Sequence, residues 1–114
     1  MVNIFKALSD ETRLRILALV WDDELCVCEI EGGLHLTQSN VSRHLTVLKN
    51  AGILTSCKQA QWAFYKKNDA FCNENPQLCE YLIRQWNALP TYWADKERLS
   101  RCKAQNMCGL SNKE

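Results

Sequence analysis

Residues 37–67 constrain the fold more than any other stretch of this chain. Thr37 is a hydroxyl residue suited to capping a helix, Val41, Leu45 and Leu48 recur at helical spacing, and Gly52 supplies a stop. The spacing predicts a helix over Gln38–Asn50, with Ser39, Ser42, Arg43, Thr46 and Lys49 on its polar face. Residues 53–58 and 62–67 are rich in β-branched or aromatic side chains and flank Gln59-Ala60-Gln61, which predicts a hairpin. That connection carries no Asn-Gly or Asp-Gly pair of the kind two-residue hairpin turns favour. A short helical turn is expected before Thr37, ended by Gly32-Gly33 and joined to the next helix by a glycine-containing turn. A helix-turn-helix followed directly by a hairpin gives the expected fold class: mainly α with a small β hairpin, a winged helix-turn-helix.

Upstream, Ser9-Asp10-Glu11-Thr12 opens a helix that Ser9 is expected to cap, with acids at its positive end. Leu14, Leu17, Ala18 and Trp21 form its apolar stripe, widened by Ile16 and Val20. A short amphipathic segment over residues 2–8 precedes it, and residues 25–30 read as a strand passing into a helical turn. Downstream, Pro76 starts a helix striped with Leu78, Leu82, Trp86 and Leu89, Pro90 interrupts, and residues 92–104 form a last helix. With Tyr81, Tyr92 and Trp93, this region carries more apolar area than a three-helix core covers. A symmetric homodimer is therefore expected, with that stripe and the segment around Ile4 and Phe5 buried against the second copy.

At 114 residues the chain suits one core. It is too small for a barrel enzyme or a doubly wound sheet. Residues 1–104 are expected to form a DNA-binding and dimerisation domain, and residues 105–114 a C-terminal tail. The longest apolar run, residues 16–21, is far short of the roughly 18 needed for a membrane span, and the N-terminus shows no secretory pattern. A cytoplasmic protein without a membrane partner is expected.

The net charge of +1 conceals a strong asymmetry. Residues 1–31 hold seven acids and three bases, and residues 69–114 hold six of each. Residues 32–68 hold Arg43, Lys49, Lys58, Lys66 and Lys67 and no acid at all. A basic face on a near-neutral protein is the footprint of a polyanion binder, because each neutralised phosphate releases counterions. Double-stranded DNA is the expected partner, contacted by Gln38, Ser39, Ser42, Arg43 and Thr46 on the helix and by Lys58 and Lys66 on the wing. Trp62, Phe64 and Tyr65 read as wing core rather than base-stacking groups, and His44 as a helix-packing residue.

Seven cysteines is an odd number, and a secreted disulfide framework fits it poorly. Cys26 and Cys28, flanked by acids just before the helix-turn-helix, are the leading candidates for metal ligation. Soft thiolates select As(III) and Sb(III), or Cd(II) and Pb(II). Cys102 has basic neighbours Arg101 and Lys103 that favour its thiolate, and it is the candidate third ligand, with Cys108 nearby in sequence. Cys57, Cys72 and Cys79 read as structural. No organic cofactor is expected.

These motifs together resemble one family. The run Leu8-Ser9-Asp10-Glu11-Thr12-Arg13-Leu14-Arg15-Ile16-Leu17 resembles the opening of the ArsR/SmtB family of metal-sensing winged-helix repressors. Glu24-Leu25-Cys26-Val27-Cys28-Glu29-Ile30 looks like the metal-binding segment of its arsenic- and cadmium-responsive branches, and Gln38-Ser39-Asn40-Val41-Ser42-Arg43-His44-Leu45 resembles its recognition helix. The resemblance covers about residues 4–68 in order and spacing. It implies a homodimeric repressor that sits on operator DNA when metal-free and leaves on binding its inducer, here As(III) or Sb(III). Three departures stand out. Glu31 occupies the place of a third cysteine common in arsenic-responsive members, no histidine follows His44 to build a C-terminal zinc site, and no cysteine precedes Cys26.

Two other readings remain open. One is a repressor of the same fold that responds to Cd(II), Pb(II) or thiol redox state. The other is a cysteine-based metal buffer or thiol oxidoreductase. Cys79 to Arg84 is one residue short of the Cys-x5-Arg phosphate loop of phosphatase-like reductases, and no Cys-x-x-Cys pair occurs. A non-enzymatic regulator is the expected function.

Overall fold

Ten elements follow one another in the computed structural model, which describes residues 2–104. They are α1 (Val2–Leu8), α2 (Glu11–Val20), β1 (Leu25–Cys26), α3 (Val27–Leu34), α4 (Gln38–Asn50), β2 (Leu54–Gln59), β3 (Trp62–Lys67), α5 (Asp69–Glu74), α6 (Pro76–Asn87) and α7 (Tyr92–Ala104). The expected tail over residues 105–114, with Cys108, lies outside the described residues.

The cap of α2 is Asp10, not Ser9: the Asp10 carboxylate accepts from the Arg13 backbone N–H at 3.2 Å. The Ser9 hydroxyl instead donates to the Lys6 carbonyl at 2.7 Å and closes the end of α1. Five consecutive residues of α2, Ile16 to Val20, are buried. A helix buried all round must be surrounded, and α1, α3, α4, α6, α7 and β3 all pack on it. The core joins these residues to Leu25, Ile30, Leu34, Val41, Leu45, Leu48, Ile53, Phe71, Leu82, Trp86 and Leu99.

The helix-turn-helix is α3 and α4. Thr37 caps α4 by accepting from the Asn40 N–H at 3.3 Å, and Gly52 takes a positive φ of 81° just past its end, both as expected. The expectation for Gly32-Gly33 was different. Both glycines lie inside α3, which ends two residues later at His35 with φ 58°, so the turn His35-Leu36-Thr37 contains no glycine. The pair serves close packing instead. A Cβ at Gly33 would stand 3.0 Å from Leu19 and 3.3 Å from the Leu99 Cβ, and one at Gly32 would overlap the Cys102 Sγ. Missing side chains thus let α7 lie directly on α3.

The hairpin is present, and its loop is only Ala60-Gln61, with Gln59 paired to Trp62 and Ala60 at φ 56°. An alanine accepts the positive φ that Asn or Gly would take more readily, which is why the turn was not legible as a two-residue one. β1 adds to β3 through Leu25–Tyr65 and Cys26–Phe64, giving an antiparallel sheet in the order β1-β3-β2.

The stripe on α6 does not stand free for a second copy. Leu82 and Trp86 are buried in their own subunit, and Trp86 meets Trp21 edge-on at 4.9 Å. The corner at Asn75-Pro76, following the short helix α5, turns α6 back across α2 and spends the apolar face there. Phe5, Tyr81 and Trp93 are the large apolar side chains left exposed among the described residues.

The last helix is fixed by charge. Asp95, 2% exposed, accepts from Arg15 through both carboxylate oxygens at 2.9 Å and from Arg98 at 2.5 Å. The same guanidinium groups reach the end of α3: Arg98 donates to the Gly33 carbonyl at 3.0 Å and Arg15 to the Leu34 carbonyl at 3.4 Å. Asp95→Ala leaves two arginines facing one another without their counter-ion. It should destabilise the protein by about 3–5 kcal/mol in urea unfolding, with Asp95→Asn losing less.

Candidate metal site and nucleic-acid interface

The thiol site begins where β1 becomes α3. Residues two apart point to different sides of a regular helix, and the strand-to-helix junction between Cys26 and Val27 removes that obstacle. Cys26 is at once the last strand residue and the N-cap of α3, with extended backbone angles (φ −88°, ψ 168°), while Cys28 sits in the first turn. The Glu29 carboxylate accepts the Cys26 backbone N–H at 3.1 Å, and the Cys26 side chain receives the Glu29 N–H in return, a reciprocal capping box.

The two thiols are close enough to act on one another electrostatically. Burial pushes Cys26 up to about 11, and the charges of Glu29 and Cys28 add to it, against the pull of backbone N–H groups at the helix start. Burial also raises Cys28, followed by the charge of Glu31. Both sulfurs therefore hold protons at neutral pH.

Cys102, on the last turn of α7, is partly buried with its sulfur against Gly32. Gly32 is one helical turn beyond Cys28 on the same face of α3. Among the described residues no group of three or more His, Cys, Asp or Glu side chains stands ready to hold an ion. The structure thus brings Cys26 and Cys28 together and places Cys102 one turn away. Cys57 is exposed on the wing, its thiol donating to the Glu24 carboxylate at 3.2 Å, and that bond raises its pKa.

The polar face of α4 is open. Gln38, Ser39, Arg43 and Thr46 are exposed and Ser42 is half-buried. Asn40 accepts from the Arg43 guanidinium at 2.6 Å, laying it along the helix, and the Thr46 hydroxyl donates to the Ser42 carbonyl at 2.9 Å. Behind this face, Arg13 donates to the His44 Nδ1 at 3.0 Å and to the Ala7 carbonyl at 2.7 Å. An arginine is a donor only, so His44 is the neutral acceptor. Burial, joined by the charges of Arg13 and Arg43 and opposed by Asp10, holds its pKa below the ordinary range.

The wing register separates its two candidate lysines. Lys58 pairs with Ala63 and Lys66 with Thr55, odd and even positions of the pleat, so they lie on opposite faces of the hairpin. Lys66 borders a groove shared with Asp22, Asp23, Glu24 and Asp69, an acidic setting that the linear sequence hides. Sequence reasoning also missed Asn40, Arg13 and Gly32 as supports; a glycine pair within a helix was the available signal for Gly32.

Comparison with known proteins fits this arrangement. Residues 10–56 match the family model described as bacterial regulatory protein, arsR family. The arsenic resistance transcriptional regulator ArsR2 of Pseudomonas putida is 45% identical over 90 residues, covering 75% of this chain and 78% of that protein. The chain belongs to the ArsR family. A second relative, the arsenic resistance transcriptional regulator ArsR1 of the same organism, is 45% identical over 82 residues, 71% of this chain; the match spans 61% of ArsR1. Among solved structures, HlyU from Vibrio cholerae is similar with a TM-score of 0.61 and 36% identity, over 71% of this chain and 88% of that one. ArsR-family proteins are regulators rather than enzymes, which removes the thiol-oxidoreductase reading. No helix among the described residues is long and apolar enough to cross a membrane.

Gly32→Ala tests the seat of Cys102. The new methyl group displaces the sulfur, so Cys102 should alkylate faster with iodoacetamide than in the parent, with helical content unchanged by circular dichroism.

Proposed function

We propose that this chain is a metalloid-responsive transcriptional repressor. It binds operator DNA as a homodimer and is released when As(III) or Sb(III) is taken by the thiolates of Cys26 and Cys28, with Cys102 as third ligand. The observation that carries this reading is the placement of Cys26 and Cys28 on either side of the break between β1 and α3, one helix ahead of the polar face of α4. Two relatives named for arsenic resistance support the choice of inducer.

The coupling follows from connectivity. Closing both sulfurs, and Cys102, on one ion moves the Cys26–Val27 junction and draws α7 along α3. That junction is hydrogen-bonded through β1 to the wing strand β3, and α3 leads through His35-Leu36-Thr37 into α4. Inducer affinity then differs between the DNA-bound and free conformations, as allosteric release requires. The deciding experiment is release of the protein from its upstream DNA, titrated with As(III), Sb(III), Cd(II), Pb(II) and Zn(II). Cys26→Ser and Cys28→Ser should each bind DNA as the parent does yet fail to release with As(III). Normal release by either variant would place the site elsewhere.

Protonated thiols set a pH test of the inducer. A trivalent metalloid arrives carrying hydroxide, and each thiol proton leaves with it as water, so As(III) affinity should be nearly flat between about pH 6 and 8. Cd(II) must displace the protons outright, and its affinity should rise about tenfold per pH unit for each thiol it deprotonates. Isothermal titration across that range distinguishes the two.

On the DNA side, Arg43→Ala should cost about 1–3 kcal/mol of operator binding if the guanidinium leaves Asn40 for a base edge. Lys58→Ala should reduce the salt slope by about one. Lys66→Ala should change it less, because the carboxylates bordering its groove oppose the approach of a phosphate. Fluorescence anisotropy over a salt series reads all three.

A further inference from the structure

A second pair of thiols lies away from the site described above, at the corner between α5 and α6. Cys72 is on α5 and partly exposed; Cys79 is on the first turn of α6 and 6% exposed. Asn75 fixes the corner. Its side chain donates to the Phe71 carbonyl at 3.1 Å, its backbone N–H does the same at 3.0 Å, and its carbonyl accepts from the Cys79 N–H at 2.9 Å. The two cysteine side chains are close enough to act on one another electrostatically. Both border an open cavity of about 420 Å³, walled by Trp21, Pro76 and Ile83 and edged by the Lys67 ammonium.

We propose that Cys72 and Cys79 form a dithiol modification site, separate from the Cys26–Cys28 site, which oxidants of the peroxide class convert to an intramolecular disulfide. No group of three or more His, Cys, Asp or Glu side chains gathers among the described residues, so these two sulfurs lack the ligand set of a structural zinc. What they do have is each other, an opening for a small oxidant, and a corner that holds them in register.

The roles follow from exposure. Burial, then the charge of the neighbouring Cys72, pushes the Cys79 thiol up to about 11, so Cys79 keeps its proton. Cys72, the more exposed of the two, meets the oxidant. Its sulfur attacks one peroxide oxygen; the S–O bond forms, the O–O bond breaks, and the departing hydroxide leaves as water with the Cys72 proton. The Cys79 sulfur then attacks the Cys72 sulfenic sulfur. The S–S bond forms, the S–O bond breaks, and the hydroxyl leaves as water with the Cys79 proton. Two electrons from the thiols have reduced one peroxide to two waters, and a dithiol reductant restores the pair.

The sequence makes the product easy to read. Trypsin cleavage after Lys67 and Arg84 releases residues 68–84, which hold both cysteines and no other. The reduced full chain is treated with hydrogen peroxide, blocked with iodoacetamide, digested and weighed, in the parent and in the Cys26→Ser, Cys28→Ser double variant. In both, peptide 68–84 should be unalkylated, lighter by two hydrogens than its reduced form, and restored by dithiothreitol. Cys72→Ser should leave Cys79 alkylatable after peroxide. Because Cys79 is buried, Cys79→Ala is made beside Cys79→Ser, and whichever keeps the parent's circular dichroism should stop at an oxyacid of Cys72. The proposal is overturned if peptide 68–84 stays doubly alkylated under peroxide that oxidises other cysteines of the chain. It is equally overturned if Cys72 or Cys79 is found bonded to a cysteine outside that peptide.

Discussion

Asp95 determines where the last helix lies, and through it much of the geometry around the thiol site. A carboxylate this buried costs free energy unless its oxygens are fully engaged, and here a bidentate Arg15 and a second arginine, Arg98, engage them. Both arginines also reach carbonyls that the last turn of α3 leaves unpaired. One anion therefore joins three helices: α2 through Arg15, α7 through its own backbone and Arg98, and α3 through the carbonyls of Gly33 and Leu34. Removing it would free the C-terminus of α3 and the whole of α7 together.

This arrangement makes α3 a short rod held differently at its two ends. Its C-terminus is fastened by charge-assisted hydrogen bonds within the subunit. Its N-terminus is held by two β1–β3 pairings and the Cys26–Glu29 capping box, all of which a ligand on the thiols would disturb. On the proposed reading, a displacement that starts at the thiol end reaches the wing directly through the β1–β3 pairings. It reaches the turn before α4 only by carrying the Arg15–Asp95–Arg98 anchorage with it. Gly32 and Gly33 belong to the same design, since side chains there would hold α7 off and take Cys102 out of reach.

Much of this was legible in the sequence, for reasons that differ by element. Helix α4 announced itself because its cap, its stripe at Val41, Leu45 and Leu48, and Gly52 are all local signals. The hairpin was legible from its β-rich runs, but its two-residue loop was not, because Ala60 carries a backbone angle usually assigned to Gly or Asn. Gly32-Gly33 read as a helix stop because local propensity says so; tertiary packing against α7 overrode it. The stripe of α6 showed correctly which face is apolar, yet periodicity cannot say what that face meets, and it meets Trp21. At the site, the Cys26–Cys28 spacing was visible and its strand-to-helix break was anticipated. The Asp95 cluster joins residues 80 positions apart and left no local trace.

The exposed face of α4 and the wing obey the same separation of local and distant causes. Composition counted Lys58 and Lys66 as equal members of an acid-free segment, which is true along the chain and untrue in space. The loop holding Asp22, Asp23 and Glu24 folds beside β3, so the acids absent from residues 32–68 return from elsewhere to border Lys66. Meanwhile Arg43 is held by Asn40 three residues back, and His44 is held from behind by Arg13. A guanidinium kept in place by one side-chain amide is ready to exchange that partner for a base or a phosphate without first being ordered, which lowers the entropic cost of contact. The basic surface is thus narrower than the charge count suggests. It consists of the exposed face of α4 and the Lys58 side of the wing, and both are linked to the backbone junction where Cys26 and Cys28 meet.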